Sequence, residues 1–288
     1  MHWERENGMR DKIVLNGELV ESDKVVLGVR SEGFSYGFGL FETIKFQDRK
    51  PCFLNEHLDR LKRSADAISM KLPFSGDEIF RQIKTLFEVN GVRNGIFKIV
   101  LTRTDRQDSC VLFLRDSTDP SSQRAIRLRL SSVIKSSQAF TTNNKTLNYM
   151  ENLIEKRRAE EHGFDECLFI NEAGYVTECA TANIFVVKDG LLKTPSDECG
   201  LLSGVVRGQI LSIAREQGLR VEEGNILPEE CVRADEAFVT SSGSGLVSVS
   251  EIQADYSKTF ATIGSKLVVS LAEKLRFAEI ASLNVFEK

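Results

Sequence analysis

Apolar residues recur at intervals of three and four over 55–71, where Leu58, Leu61, Ala65 and Ile68 form one stripe. That is the repeat of an amphipathic helix. Asn55 stands where a side chain can cap its start, and Pro73 lies beyond its end. A second amphipathic helix is predicted over 75–90, with Ser75 as its cap. Ile13 to Val20 reads as two short strands around the Asn16-Gly17 turn, and 40–46 alternates loosely as a strand does. Gly95–Arg103, Cys110–Leu114 and Ile126–Ile134 are further strands. After Lys145, residues Leu147, Met150, Ile154 and Arg158 mark a helix that Lys145 opens and Gly163 ends. Hairpins are expected across Glu172-Ala173-Gly174 and across Lys188-Asp189-Gly190. A helix over 204–216 stops at Gly218. Ala237–Thr240 is a strand, Ser242–Gly245 a turn, and Phe260, Ile263, Leu267, Leu271 and Leu275 set a final helix.

Strands and helices mix in both halves without strict alternation, so the pattern predicts an α+β chain. The polar stretches are 115–125 and 135–144, and the second is the expected junction. The division predicted is a first domain over 1–134, a connector over 135–144 and a second domain over 145–288. Residues 1–10 read as a loose tail. Gly33, Gly37 and Gly39 allow close backbone approach. No Lys-Ser/Thr follows them and no helical pattern begins there, so they do not form a P-loop.

Composition narrows the function classes. The 288 residues carry a net charge of -4, which implies no basic face for nucleic acid. Apolar runs long enough for a membrane span are not expected. The polar start Met1-His2-Trp3-Glu4 does not resemble a signal peptide. Six scattered cysteines without a CxxC pair read as reduced thiols, and the expected location is the cytoplasm. Three histidines, with neither HExxH nor a Cys/His cluster, predict no metal site.

The candidate chemistry is one lysine, one glutamate, a small-residue helix start and a late hydroxyl pair, in that order. Lys145 can act as an amine or be an ordinary structural lysine. Glu178 lies in a strand of small and apolar residues; it faces outward or is buried against a cation. Ser203-Gly204-Val205-Val206 opens a helix whose N–H groups can hold an anion. Ser241 and Ser242 are anion ligands or turn hydroxyls. Arg60, beside the apolar stripe of 55–71, reads by spacing alone as a surface arginine whose stem covers the core edge.

Together, Lys145-Thr146-Leu147-Asn148-Tyr149, Val176-Thr177-Glu178 with Asn183 downstream, and Gly204-Val205-Val206-Arg207 resemble the fold-type IV pyridoxal 5'-phosphate family. That family includes branched-chain and D-amino acid aminotransferases and aminodeoxychorismate lyases. The resemblance, from about Asn16 to Val249, implies a D-amino acid aminotransferase-like fold with a small N-terminal α/β domain and a larger C-terminal α+β domain. It implies pyridoxal 5'-phosphate as cofactor, Lys145 as its covalent anchor and proton shuttle, and Glu178 at the pyridine nitrogen. Tyr149 falls near the ring hydroxyl, and Asn183 is among the cofactor residues. Arg60, the backbone N–H groups of Val205 and Val206, and the Ser242 hydroxyl take the phosphate. Val206 stands where many relatives have threonine, so Arg60 and Ser242 carry more of that contact. The family also implies a homodimer, with the loop Gly33 to Gly39 as candidate lining.

Phe41-Glu42-Thr43, Thr177-Glu178-Cys179 with Ala182-Asn183, and Lys98 resemble the lyase branch. Arg103 falls on a carboxylate-binding arginine of D-amino acid aminotransferases, but Asp105 replaces the histidine two residues on. Tyr36, Lys98, Arg103 and Ser244 are the candidate substrate residues, and the substrate class is a small amino compound. The expected activity is aminodeoxychorismate lyase, yielding 4-aminobenzoate and pyruvate in folate synthesis. The alternative is an aminotransferase of branched-chain L- or D-amino acids with 2-oxoglutarate.

Overall fold

The computed structural model describes residues 12–25, 28–104, 107–115, 124–254, 257–260 and 264–283. The tail over 1–10, Asp105 and Ile263 lie outside them. The chain divides into two compact units, Met1–Ser117 and Thr118–Lys288.

The first unit holds β1 (Lys12–Leu15), β2 (Glu18–Glu21), α1 (Glu32–Tyr36), β3 (Gly39–Gln47), β4 (Lys50–Pro51), α2 (Leu54–Ala67), α3 (Gly76–Val89), β5 (Gly95–Arg103) and β6 (Asp108–Arg115). Its six-stranded sheet runs β2-β1-β6-β5-β3-β4, antiparallel throughout. Alternation along β3 sends Glu42, Ile44 and Phe46 to one face and Phe41 and Thr43 to the other. Phe46 stacks on Phe87 of α3 at 3.9 Å between centroids, and Phe97 meets both rings edge-on. Ser75 and Glu78 form a reciprocal capping box on α3, as the Ser75 cap predicted.

Two local expectations give way. The helix α2 is not capped by Asn55: it starts at Leu54 behind Phe53, a buried residue in the left-handed conformation. The Gly33 segment does form a helix, α1, because the Ser31 hydroxyl accepts the Phe34 N–H at 3.2 Å. Gly33 lies so close to β5 that a Cβ there would sit 2.0 Å from Thr102 Oγ1.

The second unit holds β7 (Ile126–Lys135), α4 (Phe140–Asn143), α5 (Met150–Glu161), β8 (Glu166–Asn171), β9 (Val176–Cys179), β10 (Asn183–Lys188), β11 (Leu191–Pro195), α6 (Val205–Glu216), β12 (Arg220–Gly224), α7 (Pro228–Arg233), β13 (Glu236–Ser241), β14 (Gly245–Gln253), β15 (Ser257–Thr259) and α8 (Lys266–Ser282). Its nine-stranded sheet runs β12-β11-β10-β13-β14-β7-β8-β9, with β15 on β14. The strand β7, grouped with the first domain by the sequence reading, pairs in parallel with both β14 and β8 of this sheet. Both predicted hairpins form. One face buries Ile184, Val186, Ala237, Val239 and Val249 in a common core.

Lys145 does not open a helix. Residues 144–149 make two tight turns, Thr146 N–H to Asn144 O and Tyr149 N–H to Leu147 O, and α5 begins five residues later. Phe260 lies outside α8, buried in the common core; Ser265 caps the helix by accepting the Val268 N–H.

Candidate active site

In the second unit several of the sequence candidates are linked by side-chain contacts and short stretches of backbone. Lys145 Nζ lies 5.6 Å from the centroid of the Tyr149 ring. The Tyr149 hydroxyl donates to Ala180 O, which also accepts from Asn152 Nδ2 at 2.9 Å. Burial, with the charges of Glu178 and Glu166 nearby, pushes the Tyr149 phenol above its ordinary pKa. Glu178, two residues before Ala180, is half-buried on β9 and accepts from Asn183 Nδ2 at 3.1 Å.

The same amide nitrogen reaches Leu202 O at 2.9 Å, in the loop that delivers α6. Gly204 is the N-cap residue of α6, and no side chain caps that helix. Its first N–H groups, from Val205 and Val206 onward, point out of the helix end and carry the positive end of its dipole. The first turn is fixed by Arg207, whose guanidinium is buried and bonds to Pro195 O and Glu223 at 2.8 Å and to Asp197 at 3.2 Å. Ser242 follows β13, two residues past Thr240, the cross-strand partner of Asn183. Ser244 is exposed.

An amine, an aromatic hydroxyl, a carboxylate and an uncapped helix start thus sit along one connected path. This donor set fits pyridoxal 5'-phosphate: the helix start suits the phosphate, the carboxylate a protonated pyridine nitrogen, and the amine the aldehyde carbon.

The first unit holds the other candidates. Arg60 is no surface arginine: it is buried on the same side of α2 as Leu58 and Leu61. Its Nε and Nη2 bond Glu42 at 2.8 and 2.6 Å, and His57 Nδ1 lies 2.7 Å from the same carboxylate. Burial alone would raise the Glu42 pKa, but Arg60 and His57 outweigh it and bring it down to about 2. Glu42 is therefore ionised, and His57 Nδ1 carries the proton it donates. Sequence reading missed Glu42 and His57 as members of the buried cluster around Arg60. The signal was present, since Glu42 alternates with Leu40 and Ile44, and His57 and Arg60 fall within the apolar stripe of α2.

On the opposite face of that sheet, Thr43 and Lys98 are cross-strand partners. Lys98 Nζ stands 4.4 Å from the centroid of the Phe41 ring, and burial, reinforced by Arg115, lowers its pKa. Arg103 does not join them: it bonds Asp108 and Ser69 O, each at 2.9 Å, and lies over Phe38. Tyr36 is 76% exposed. The six cysteines are free and buried. Among the described residues no helix is long and apolar enough to cross a membrane, and no cluster of three or more His, Cys, Asp or Glu could hold a metal ion.

Known proteins match the chain over nearly its whole length. D-alanine aminotransferase of Bacillus licheniformis is 27% identical over 266 residues, covering 88% of this chain and 90% of its own. Aminodeoxychorismate lyase of Bacillus subtilis is 26% identical over 253 residues, 84% of this chain and 86% of its own. The crystal structure of a branched-chain aminotransferase from the archaeon Thermoproteus uzoniensis superposes with a TM-score of 0.86. It is 25% identical and covers 94% of this chain and 95% of its own. The sequence profile of the Amino-transferase class IV family matches residues 39–252. The chain therefore belongs to the class IV aminotransferase family, the fold-type IV enzymes that work with pyridoxal 5'-phosphate.

Proposed function

We propose that the protein is an aminodeoxychorismate lyase, which takes 4-amino-4-deoxychorismate to 4-aminobenzoate and pyruvate. The observation that carries this reading is the Thr43–Lys98 pair with Phe41 beside the ammonium. A cation over an aromatic surface suits a carboxylate attached to an unsaturated ring. The engagement of Arg103 with Asp108 and Ser69 weighs against a D-amino acid carboxylate trap built on that arginine.

Pyridoxal 5'-phosphate, when bound, supplies the electron sink that lets a proton leave the carbon bearing the substrate's amino group. Lys145 would hold the cofactor and take that proton. Glu178 would favour a protonated pyridine nitrogen through its negative charge. Tyr149 would orient the ring hydroxyl, and the Val205 and Val206 N–H groups with Ser242 would hold the phosphate, a set to which the family resemblance adds Arg60. Lys98 receives a substrate carboxylate. The C–O bond to the enolpyruvyl group then breaks, the departing enolpyruvate gains a proton at its methylene carbon, and the ring becomes aromatic. The proposed setting is folate synthesis in the cytoplasm, by a homodimer.

The second reading is a transaminase, supported by the match to D-alanine aminotransferase over 88% of the chain. Parallel assays with aminodeoxychorismate, D-alanine and L-leucine separate the two. Pyruvate release from aminodeoxychorismate without any 2-oxo acid acceptor is the expected result. Turnover of D-alanine or L-leucine that requires 2-oxoglutarate, with no pyruvate from aminodeoxychorismate, refutes the lyase.

A further inference from the structure

We propose that Asn183 is a positioning residue that couples the two ends of the cofactor site, so that a disturbance at the phosphate end is felt at the pyridine end. The inference rests on the cofactor reading above. Asn183 is 5% exposed, at the start of β10. Its amide nitrogen lies 3.1 Å from Glu178 Oε2 and 2.9 Å from Leu202 O. Both partners are acceptors, so the NH2 group faces them and each of its two protons is used. The amide oxygen is turned to Gly204, where an added Cβ would meet it at 2.0 Å.

One planar group therefore carries three constraints. It orients the Glu178 carboxylate, pins the carbonyl of Leu202, and fixes how close Gly204 and the start of α6 approach β10. The carboxylate and the helix start have no covalent link shorter than the 25 residues between Glu178 and Gly204. The amide is the short path between them. A small apolar side chain at 183 would leave the Leu202 carbonyl without this donor and the Glu178 carboxylate without this bond, and a bond to a charged group is among the stronger ones. A side chain at 204 would push the amide from the helix side and disturb the carboxylate it holds.

The test uses the apoprotein and three probes: pyridoxal 5'-phosphate, pyridoxal, which lacks the phosphate, and inorganic phosphate as competitor. Pyridoxal affinity and the pH midpoint of the bound chromophore report the ring end. Inhibition of cofactor uptake by inorganic phosphate reports the helix end. Glu178→Gln and Ser242→Ala serve as references for the two ends. Asn183→Ala is expected to weaken both pyridoxal and phosphate by about tenfold, the loss of roughly one charged hydrogen bond. Gly204→Ala, a change on the helix side, is expected to shift the pH midpoint of bound pyridoxal, whereas Ser242→Ala weakens phosphate alone. Should Asn183→Ala fail to fold, Gly204→Ala carries the test, because it leaves the amide present but displaced. The proposal is overturned if Gly204→Ala changes phosphate inhibition while leaving the ring readouts at wild-type values. If Glu178→Gln itself leaves pyridoxal binding and its pH midpoint unaltered, the cofactor reading fails first and the coupling falls with it.

Discussion

Replacing Glu42 by glutamine tests the buried cluster of the first unit. In the native protein the carboxylate is 1% exposed and titrates at about 2 rather than the ordinary 4.5. Each pH unit of such a difference is worth about 1.4 kcal/mol, so the ionised form contributes about 3 kcal/mol of stability. Because the folded value is depressed, that contribution is fully present above the unfolded pKa and is lost as pH falls toward 2. Glutamine keeps the volume but leaves the buried Arg60 guanidinium without its counter-charge. Breaking a buried pair from one side costs about 3–5 kcal/mol. Urea unfolding of both proteins at pH 7 and at several values between 4.5 and 2.5 gives the comparison. The variant is expected to be several kcal/mol less stable at pH 7, and the gap is expected to narrow through the acid range, because only the wild type loses this charge. Parallel stability curves, with a gap that does not change from pH 7 to 2.5, refute an ionised Glu42 paired with Arg60.

Borohydride reduction should fix the cofactor to the wild-type chain at Lys145, and Lys145→Ala should abolish that label; peptide mapping to another lysine would remove Lys145 from the site. Arg60→Ala should weaken pyridoxal 5'-phosphate binding by roughly ten- to a hundredfold, from a charge-assisted contact of about 1.5–3 kcal/mol. Since the change also unpairs Glu42, the diagnostic quantity is affinity relative to pyridoxal, and an unaltered ratio returns Arg60 to a structural role. Glu178→Gln should fold and retain cofactor but lose turnover by about a hundredfold, equivalent to about 2.7 kcal/mol of transition-state stabilisation; normal turnover on the substrate found in the parallel assays excludes it from control of the ring. Lys98→Ala should raise KM for aminodeoxychorismate more than it lowers kcat, and an unchanged KM removes Lys98 from carboxylate binding.

The sequence by itself determined the elements whose signal is local. The hydrophobic stripes of α2 and α3, the Ser75 cap and the two hairpins of the second unit follow from residues a few positions apart, because burial on one face writes its period directly into neighbouring residues. The order of the motifs around Lys145, Glu178 and Gly204 was enough to indicate the family, since chemistry demands particular side chains whatever surrounds them. Tertiary structure decided what depends on partners distant in the chain. Nothing near Arg60 in sequence shows that Glu42, across a sheet strand, takes two of its N–H groups, or that Asp108 and Ser69 take those of Arg103. The strand β7 carries the same alternation whichever sheet it joins, and only its register with Leu168 on one side and Ile252 on the other places it in the second unit. Lys145 left the helix because turn hydrogen bonds hold 144–149, which helical spacing beyond it could not reveal. Asn183 reads in sequence as one polar residue at a strand start. Its bond to Leu202, nineteen positions away, exists only once β9, β10 and the α6 loop converge, because a side-chain amide finds its acceptors in space and not along the chain.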